Sequence, residues 1–253
     1  MMNWGLIIKD SMWSRSVLAE SIVRENYPRR IVVLPRNDEK SKSHIINFGR
    51  ILKRSISRKY KDSKYGSNDI AKVDIYELLK SFDDDYITYS NDIDIHSNVN
   101  LSLISNHPEI KIWIVINCGI LSIDKLPRQS KYINLHQGYL PGTRGVDANY
   151  WPYITNKTLG VSSHYITKSI DGGNIICRIE IDKSLNVANH VHFSYIIAKY
   201  ISQLAFLTII MLIEEPHINI ANRNIITDYY YTMNQSLKDI IIESNNNPIL
   251  NTI

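Results

Sequence analysis

Residues 111–117, Lys-Ile-Trp-Ile-Val-Ile-Asn, carry the strongest buried-strand signal in the chain. A β-branched run with no polar alternation suits a strand covered on both faces, as in a parallel sheet. The N-terminal stretch agrees with that reading. Trp4–Ile8 reads as a first buried strand, and Ser14 as the N-cap of a helix from Arg15 to about Asn26 with partial 3.6 periodicity. Pro28 stops that helix, and Ile31–Leu34 reads as a second strand. Strand–helix–strand order predicts an α/β chain whose mostly parallel sheet is flanked by helices. With 253 residues, the chain can bury a substantial core as one domain, with or without an appendage.

The remaining elements follow from periodicity. Helices are expected at 69–80, 98–105, 149–154, 190–213 and near 235–243, with strands at 86–89, 132–135, 158–166 and 174–181. Residues 1–214 are expected to form the core and 215–253 a C-terminal extension. The strand at 111–117 leads into Cys118-Gly119-Ile120-Leu121, where α/β sheets open a ligand crevice at their strand ends.

Several function classes lose support. A dinucleotide-binding loop wants glycines after the first strand, so that backbone N–H groups approach a phosphate. The turn Lys-Asp-Ser-Met-Trp-Ser-Arg at 9–15 has none. Two cysteines, Cys118 and Cys177, cannot supply a disulfide framework, which favours a reducing compartment. The apolar run Trp4–Ile8 is too short for a signal-peptide core, and Leu204–Ile213 is about half of the ~20 residues a membrane span needs. A cytoplasmic protein is expected. Residues 29–64 hold twelve basic side chains against three acidic ones, a local charge of +9 in a chain of net charge +4. This stretch reads first as a solvated face balanced by acidic runs such as Asp83–Asp85, and second as an anion-binding surface.

The chemistry concentrates in residues 134–173. Asn134 and His136 stand two apart at the end of a short strand, so both polar groups leave the same face. A Gly-Tyr-Leu-Pro-Gly-Thr-Arg-Gly loop follows at 138–145, and Asp171 arrives in a second turn ahead of Gly172 and Gly173. A carboxamide, an imidazole and a carboxylate converging at strand ends make a site for acyl transfer. His164, on a strand, is expected to be structural. His190 and His192, two apart in a helix, do not share a face and make no metal pair.

The ordered set Asn134-Leu135-His136, Leu140-Pro141-Gly142-Thr143-Arg144-Gly145, Gly160-Val161-Ser162-Ser163-His164 and Asp171-Gly172-Gly173 resembles the folate-dependent formyltransferases, over roughly residues 111–182. That family includes glycinamide ribonucleotide transformylase, methionyl-tRNA formyltransferase and the sugar N-formyltransferases. The resemblance implies a Rossmann-like core, N10-formyltetrahydrofolate as co-substrate and neither a metal nor a covalent enzyme intermediate. It implies Asn134 and His136 as donors to the oxyanion of a tetrahedral intermediate, where each such donor is worth ~3–4 kcal/mol. Asp171 would orient His136, raise its pKa and help remove the amine proton. Cys118, Gly119, Ile120 and Leu121, with Ile170 and Gly172, would meet the folate. Gly138, Tyr139, Arg144, Gly145, Tyr150 and Trp151 would face the acceptor.

Among acceptors, the glycine-free first loop argues against glycinamide ribonucleotide. The 39 residues beyond 214 are too few for the extra barrel of the tRNA enzyme. A nucleotide-linked amino sugar, with dTDP as the carrier, is the expected substrate, with no membrane or nucleic-acid partner; a homodimer is compatible with the resemblance. The alternatives are another amine acceptor, or a catalytically inactive chain that keeps the fold as a binding module.

Overall fold

A computed structural model describes residues 3–35, 74–218, 220 and 229–246. The basic stretch beyond Pro35 and the first part of the helix expected at 69–80 lie outside the described residues. The chain divides into two compact units, Met1–Asn134 and Leu135–Ile253.

The first unit holds β1 (Trp4–Lys9), α1 (Met12–Val23), β2 (Arg30–Leu34), α2 (Ile75–Leu79), β3 (Ile87–Tyr89), α3 (Asn98–Ser105), β4 (Ile112–Ile116) and the first four residues of β5 (Lys131–His136). Its strands lie in the order β3-β2-β1-β4-β5, and every ladder among them is parallel. β4 is buried at all five positions, as a strand covered on both faces must be. Leu6, Ile7, Ile8, Ile31, Trp113 and Ile114 form the centre of the core.

α1 starts three residues before the sequence suggests. Ser11 is the N-cap, and Ser14, expected in that role, is instead its partner in a capping box. The Ser14 N–H donates to Ser11 Oγ at 3.1 Å and the Ser11 N–H to Ser14 Oγ at 2.9 Å. Either serine satisfies the sequence rule; the close of β1 at Lys9 decides between them. Arg15 then clasps Asp10 through two nitrogens at 2.6 and 2.7 Å.

The second unit holds the end of β5, β6 (Arg144–Gly145), α4 (Trp151–Thr155), β7 (Gly160–Tyr165), β8 (Ile175–Glu180), α5 (His190–Glu214), β9 (Tyr229–Tyr230) and α6 (Gln235–Asn246). β7 and β8 pair antiparallel, with an irregularity between Ser163 and His164. β6 and β9 form a two-residue parallel ladder. α5 packs across β7 and β8 through Phe193, Ile197, Ala198, Ile201, Leu204, Ala205, Ile209 and Leu212, a helical stripe of small and branched side chains. Thr208 on that stripe hydrogen-bonds Ser163 of β7 at 2.7 Å. The 25-residue helix is long and apolar enough to cross a membrane by length and composition. The uninterrupted run Leu204–Ile213 had suggested a much shorter segment, because Lys199 and Gln203 break the run without breaking the helix. Its buried face is taken up by the sheet, as in a core helix.

Candidate active site

Asn134 is the last residue of the first unit and is paired in register with Val115 of β4. At the end of β4 the chain leaves the sheet sharply, with Asn117 and Gly119 both at positive φ. Cys118 is buried, its thiol donating to the carbonyls of Ile7 (3.4 Å) and Ile116 (3.3 Å), and burial pushes it up to about 12. Gly119 has open space where a side chain would stand, and Ile120 is 68% exposed. This is the stretch expected to meet a pterin through its backbone.

The second unit brings three titratable side chains together. Asp171 Oδ1 lies 3.7 Å from His136 Nδ1 and 3.5 Å from His164 Nε2. Asp171 Oδ2 accepts the N–H of Gly145 at 2.9 Å. The other nitrogen of each ring also faces an acceptor: His136 Nε2 sits 2.9 Å from the Thr143 carbonyl, and His164 Nδ1 sits 3.0 Å from the Tyr165 carbonyl. The two rings meet edge to face with centroids 6.3 Å apart. All three side chains are nearly inaccessible to solvent.

The sign of the electrostatics follows from this packing. Burial alone would raise the Asp171 carboxyl. The His164 contact, the His136 ring and the Gly145 N–H together outweigh burial and hold it at about 2. His136 is lowered too, but by burial itself: desolvation takes it below its ordinary 6.5, Asp171 and the Thr143 carbonyl oppose that, and the neighbouring His164 and Arg144 reinforce it. At neutral pH the pair is therefore a carboxylate beside a neutral imidazole. The Thr143 carbonyl needs a hydrogen on Nε2, which leaves Nδ1 as the basic nitrogen directed at the carboxylate.

Local structure explains the positions. His164 sits at the irregularity in the β7–β8 ladder, the kind of defect that re-aims a side chain. Ser162, two residues earlier, holds the loop through two bonds: its hydroxyl donates to the Gly138 carbonyl (2.8 Å) and accepts the Leu140 N–H (2.9 Å). The Leu140–Pro141 peptide is cis. Arg178 donates to the Leu140 carbonyl at 3.0 Å and lies over the Tyr139 ring at 4.9 Å. Gly138 packs against His136 so closely that an added Cβ would stand 2.6 Å from Nε2. Gly138→Ala is accordingly expected to lower turnover by about tenfold or more and to lower the melting temperature as well, because the same Cβ would stand 2.5 Å from the Thr143 carbonyl oxygen. Paired rate and melting measurements check this.

The other expected acceptor residues have varied settings. Tyr150 is buried, its hydroxyl 3.0 Å from His190 Nδ1 and its ring edge-on to Phe193. Trp151 stacks on Tyr230 at 4.9 Å and 21°. Ile170 is 41% exposed beside Asp171, and Gly172 closes its turn by donating to the Ser169 carbonyl at 3.1 Å. His190 faces Asp239 at 2.7 Å, and His192 Nδ1 accepts the Ala188 N–H. Among the described residues no group of three or more His, Cys, Asp or Glu side chains is arranged to hold a metal.

Two features escaped the sequence reading. His164 was expected to be structural, yet it lies against Asp171; its presence in the same ordered motif as Asn134 and His136 was the available signal. Tyr229–Tyr231 read only as a tyrosine cluster, yet Tyr229 and Tyr230 pair with the loop that reaches Asp171.

No family model and no curated protein matches the chain. Solved structures do. WlaRD, a sugar 3N-formyltransferase solved with dTDP and 5-N-formyl-tetrahydrofolate, matches over 97% of this chain and 79% of its own, with a TM-score of 0.57 and 18% identity. The N-formyltransferase of Helicobacter canadensis, solved with folinic acid and dTDP-3-aminofucose, matches over 97% and 81% with a TM-score of 0.55 and 17% identity. Phosphoribosylglycinamide formyltransferase of Campylobacter jejuni matches over 84% and 97%, with a TM-score of 0.52 and 15% identity. The chain shares the fold of these formyltransferases. Within that fold the ladders of the first unit are parallel as expected, and the second unit adds the antiparallel β7–β8 pair.

Proposed function

We propose that the chain transfers a formyl group from N10-formyltetrahydrofolate to the amine of a nucleotide-linked amino sugar, with dTDP as the carrier. The observation that carries this reading is the carboxylate of Asp171 held between His136 and His164 and bonded to the Gly145 N–H, in a formyltransferase fold. The amine nitrogen attacks the formyl carbon, forming the new C–N bond and placing negative charge on the formyl oxygen. Asn134 and His136 donate to that oxygen. For His136 this exchanges one acceptor, the Thr143 carbonyl, for another. The amine proton passes to the basic Nδ1 of His136, where the Asp171 carboxylate stabilises the imidazolium. The intermediate then collapses, the bond to N10 breaks, and N10 takes a proton. No step needs a metal or a covalent link to the protein. Gly119 and its neighbours would hold the pterin by backbone, and Ile170 and Gly172 would also meet the folate.

The acceptor class rests on two supports. Structures similar to this one over almost its whole length contain dTDP or a dTDP-amino sugar. In addition, the Ser14 N–H of α1 and the N–H of its N-cap Ser11 are already engaged by the two serine hydroxyls, and Arg15 is committed to Asp10. That leaves the first turn poorly disposed to receive the phosphate of glycinamide ribonucleotide.

Incubation with N10-formyltetrahydrofolate and a panel of dTDP-amino sugars plus glycinamide ribonucleotide tests the reading. The expected result is a mass gain of one CO on a sugar amine. A gain on glycinamide ribonucleotide alone would replace the sugar reading; folate binding without transfer to any amine would support a binding module.

A further inference from the structure

We propose that the short strand Tyr229–Tyr230 is a positioning element of this site: by pairing with Arg144–Gly145 it fixes the peptide whose N–H is bonded to Asp171. The inference deepens the formyl-transfer reading and rests on the role given there to Asp171.

Consecutive amides of one loop point to different partners. The Gly145 N–H donates to Asp171 Oδ2 at 2.9 Å, and the next N–H, that of Val146, donates to the Tyr230 carbonyl at 3.0 Å. Fixing the second amide therefore fixes the direction of the first. Gly145 adopts φ +96°, and a Cβ there would fall inside the Tyr230 carbonyl oxygen and 3.2 Å from the Tyr229 ring. The approach of the two strands thus depends on this glycine.

The strand is anchored by side chains that follow the loop, on and around α4, and by α6. Tyr230 stacks on Trp151, and Lys157 Nζ lies over its ring at 4.9 Å. The Trp151 indole N–H donates to the Tyr231 carbonyl at 3.0 Å. Asp147 accepts the Met233 N–H at 3.0 Å and pairs with Lys238 of α6 at 2.8 Å, both side chains mostly buried. Tyr230 itself is buried, and its hydroxyl has no hydrogen-bond partner among the described residues. The ring, not the hydroxyl, is what holds.

The charged and titratable groups around Asp171 are His136 of β5, His164 of β7, Tyr229 of β9 and, through His136, Arg144 of β6. Among the interactions that hold Asp171 ionised, the Gly145 N–H is coupled to β9 through the loop. Loss of the strand should remove that donor and leave the two imidazoles, so the carboxyl binds its proton more tightly without losing its other partners.

The test uses the full chain and reads Asp171 by carboxyl ¹³C NMR titration, assigned with D171N. Tyr230→Ala is expected to make Asp171 bind its proton about tenfold more tightly and to lower kcat with KM for the folate little changed. Tyr230→Phe, which keeps the ring, should restore the wild-type titration. A folded Tyr230→Ala chain with an unmoved Asp171 titration would overturn the proposal. Amide hydrogen exchange in the unmodified chain supplies a second measurement that does not depend on any variant folding. Gly145 and Val146 should be protected together; fast exchange at Val146 with Gly145 still protected would overturn it equally. Neither the titration nor the exchange measurement requires formyl transfer, so an inactive chain would count against the proposed reaction and leave this inference to those two results.

Discussion

His136→Ala is expected to lower turnover at least ~10²-fold, the cost of removing one donor from a preorganised oxyanion site. The fold should survive, because the ring contacts polar atoms of the site and not the centre of the apolar core. Its Nε2 meets the Thr143 carbonyl and its Nδ1 meets Asp171. Steady-state rates on the amine acceptor, with a melting curve as control, decide the matter. An unchanged rate would remove His136 from the mechanism. The acid limb offers an independent check. Burial lowers the His136 pKa below 6.5, so the neutral, active imidazole persists to a lower pH than a solvated histidine would allow. The unfolded chain takes up this proton more readily than the folded one. The contribution of His136 to stability is therefore full above the unfolded value and diminishes as pH falls through the lowered folded value.

Asp171→Asn carries the second large expectation. It keeps the shape and loses the charge, so turnover should fall by roughly 10²–10⁴-fold, in the range seen when a buried carboxylate that orients a histidine is neutralised. A stability signature should accompany it. The carboxyl lies at about 2 in the fold against an ordinary 3.8, and a depressed acid stabilises the folded state above its unfolded pKa. That contribution, about 2–3 kcal/mol, is complete above pH ~4 and is lost as the pH falls to ~2. The stability gap between the parent chain and D171N, measured by urea unfolding, should therefore be widest at pH ~5 and close towards pH ~2. A constant gap would show that Asp171 is not held ionised by its neighbours. Rescue of the rate at high pH would show that its proton, not its charge, was the missing element.

The elements themselves were largely legible in the sequence because their signals are local. Ile112–Ile116 could be little but a buried strand, and the stripe of α5 from Phe193 to Leu212 marks a helix packed along one face. The boundaries were less so: with Ser11 and Ser14 both available as caps, chain geometry rather than composition chose the helix start. The candidate site was legible as an ordered set of short motifs, with Gly138 two residues after His136 and Gly172 directly after Asp171.

What the sequence determined by itself is the α/β alternation, the parallel character of the first unit and the presence of an imidazole and a carboxylate at strand ends. These follow from side-chain period, β-branching and turn chemistry, all of which act over a few residues. The tertiary structure alone decided how those groups are used. The ladder irregularity beside His164 turned a presumed core histidine towards Asp171, and the loop folded so that Gly145 donates to the same carboxylate while its neighbour pairs with Tyr230. Such contacts join residues far apart in the chain, and their signs come from burial and from the opposition of charges across a few ångströms. No local pattern encodes that. The carboxylate is held at about 2 because the fold set it between two imidazoles and the Gly145 N–H, which outweigh its burial, while burial lowers the histidine beside it.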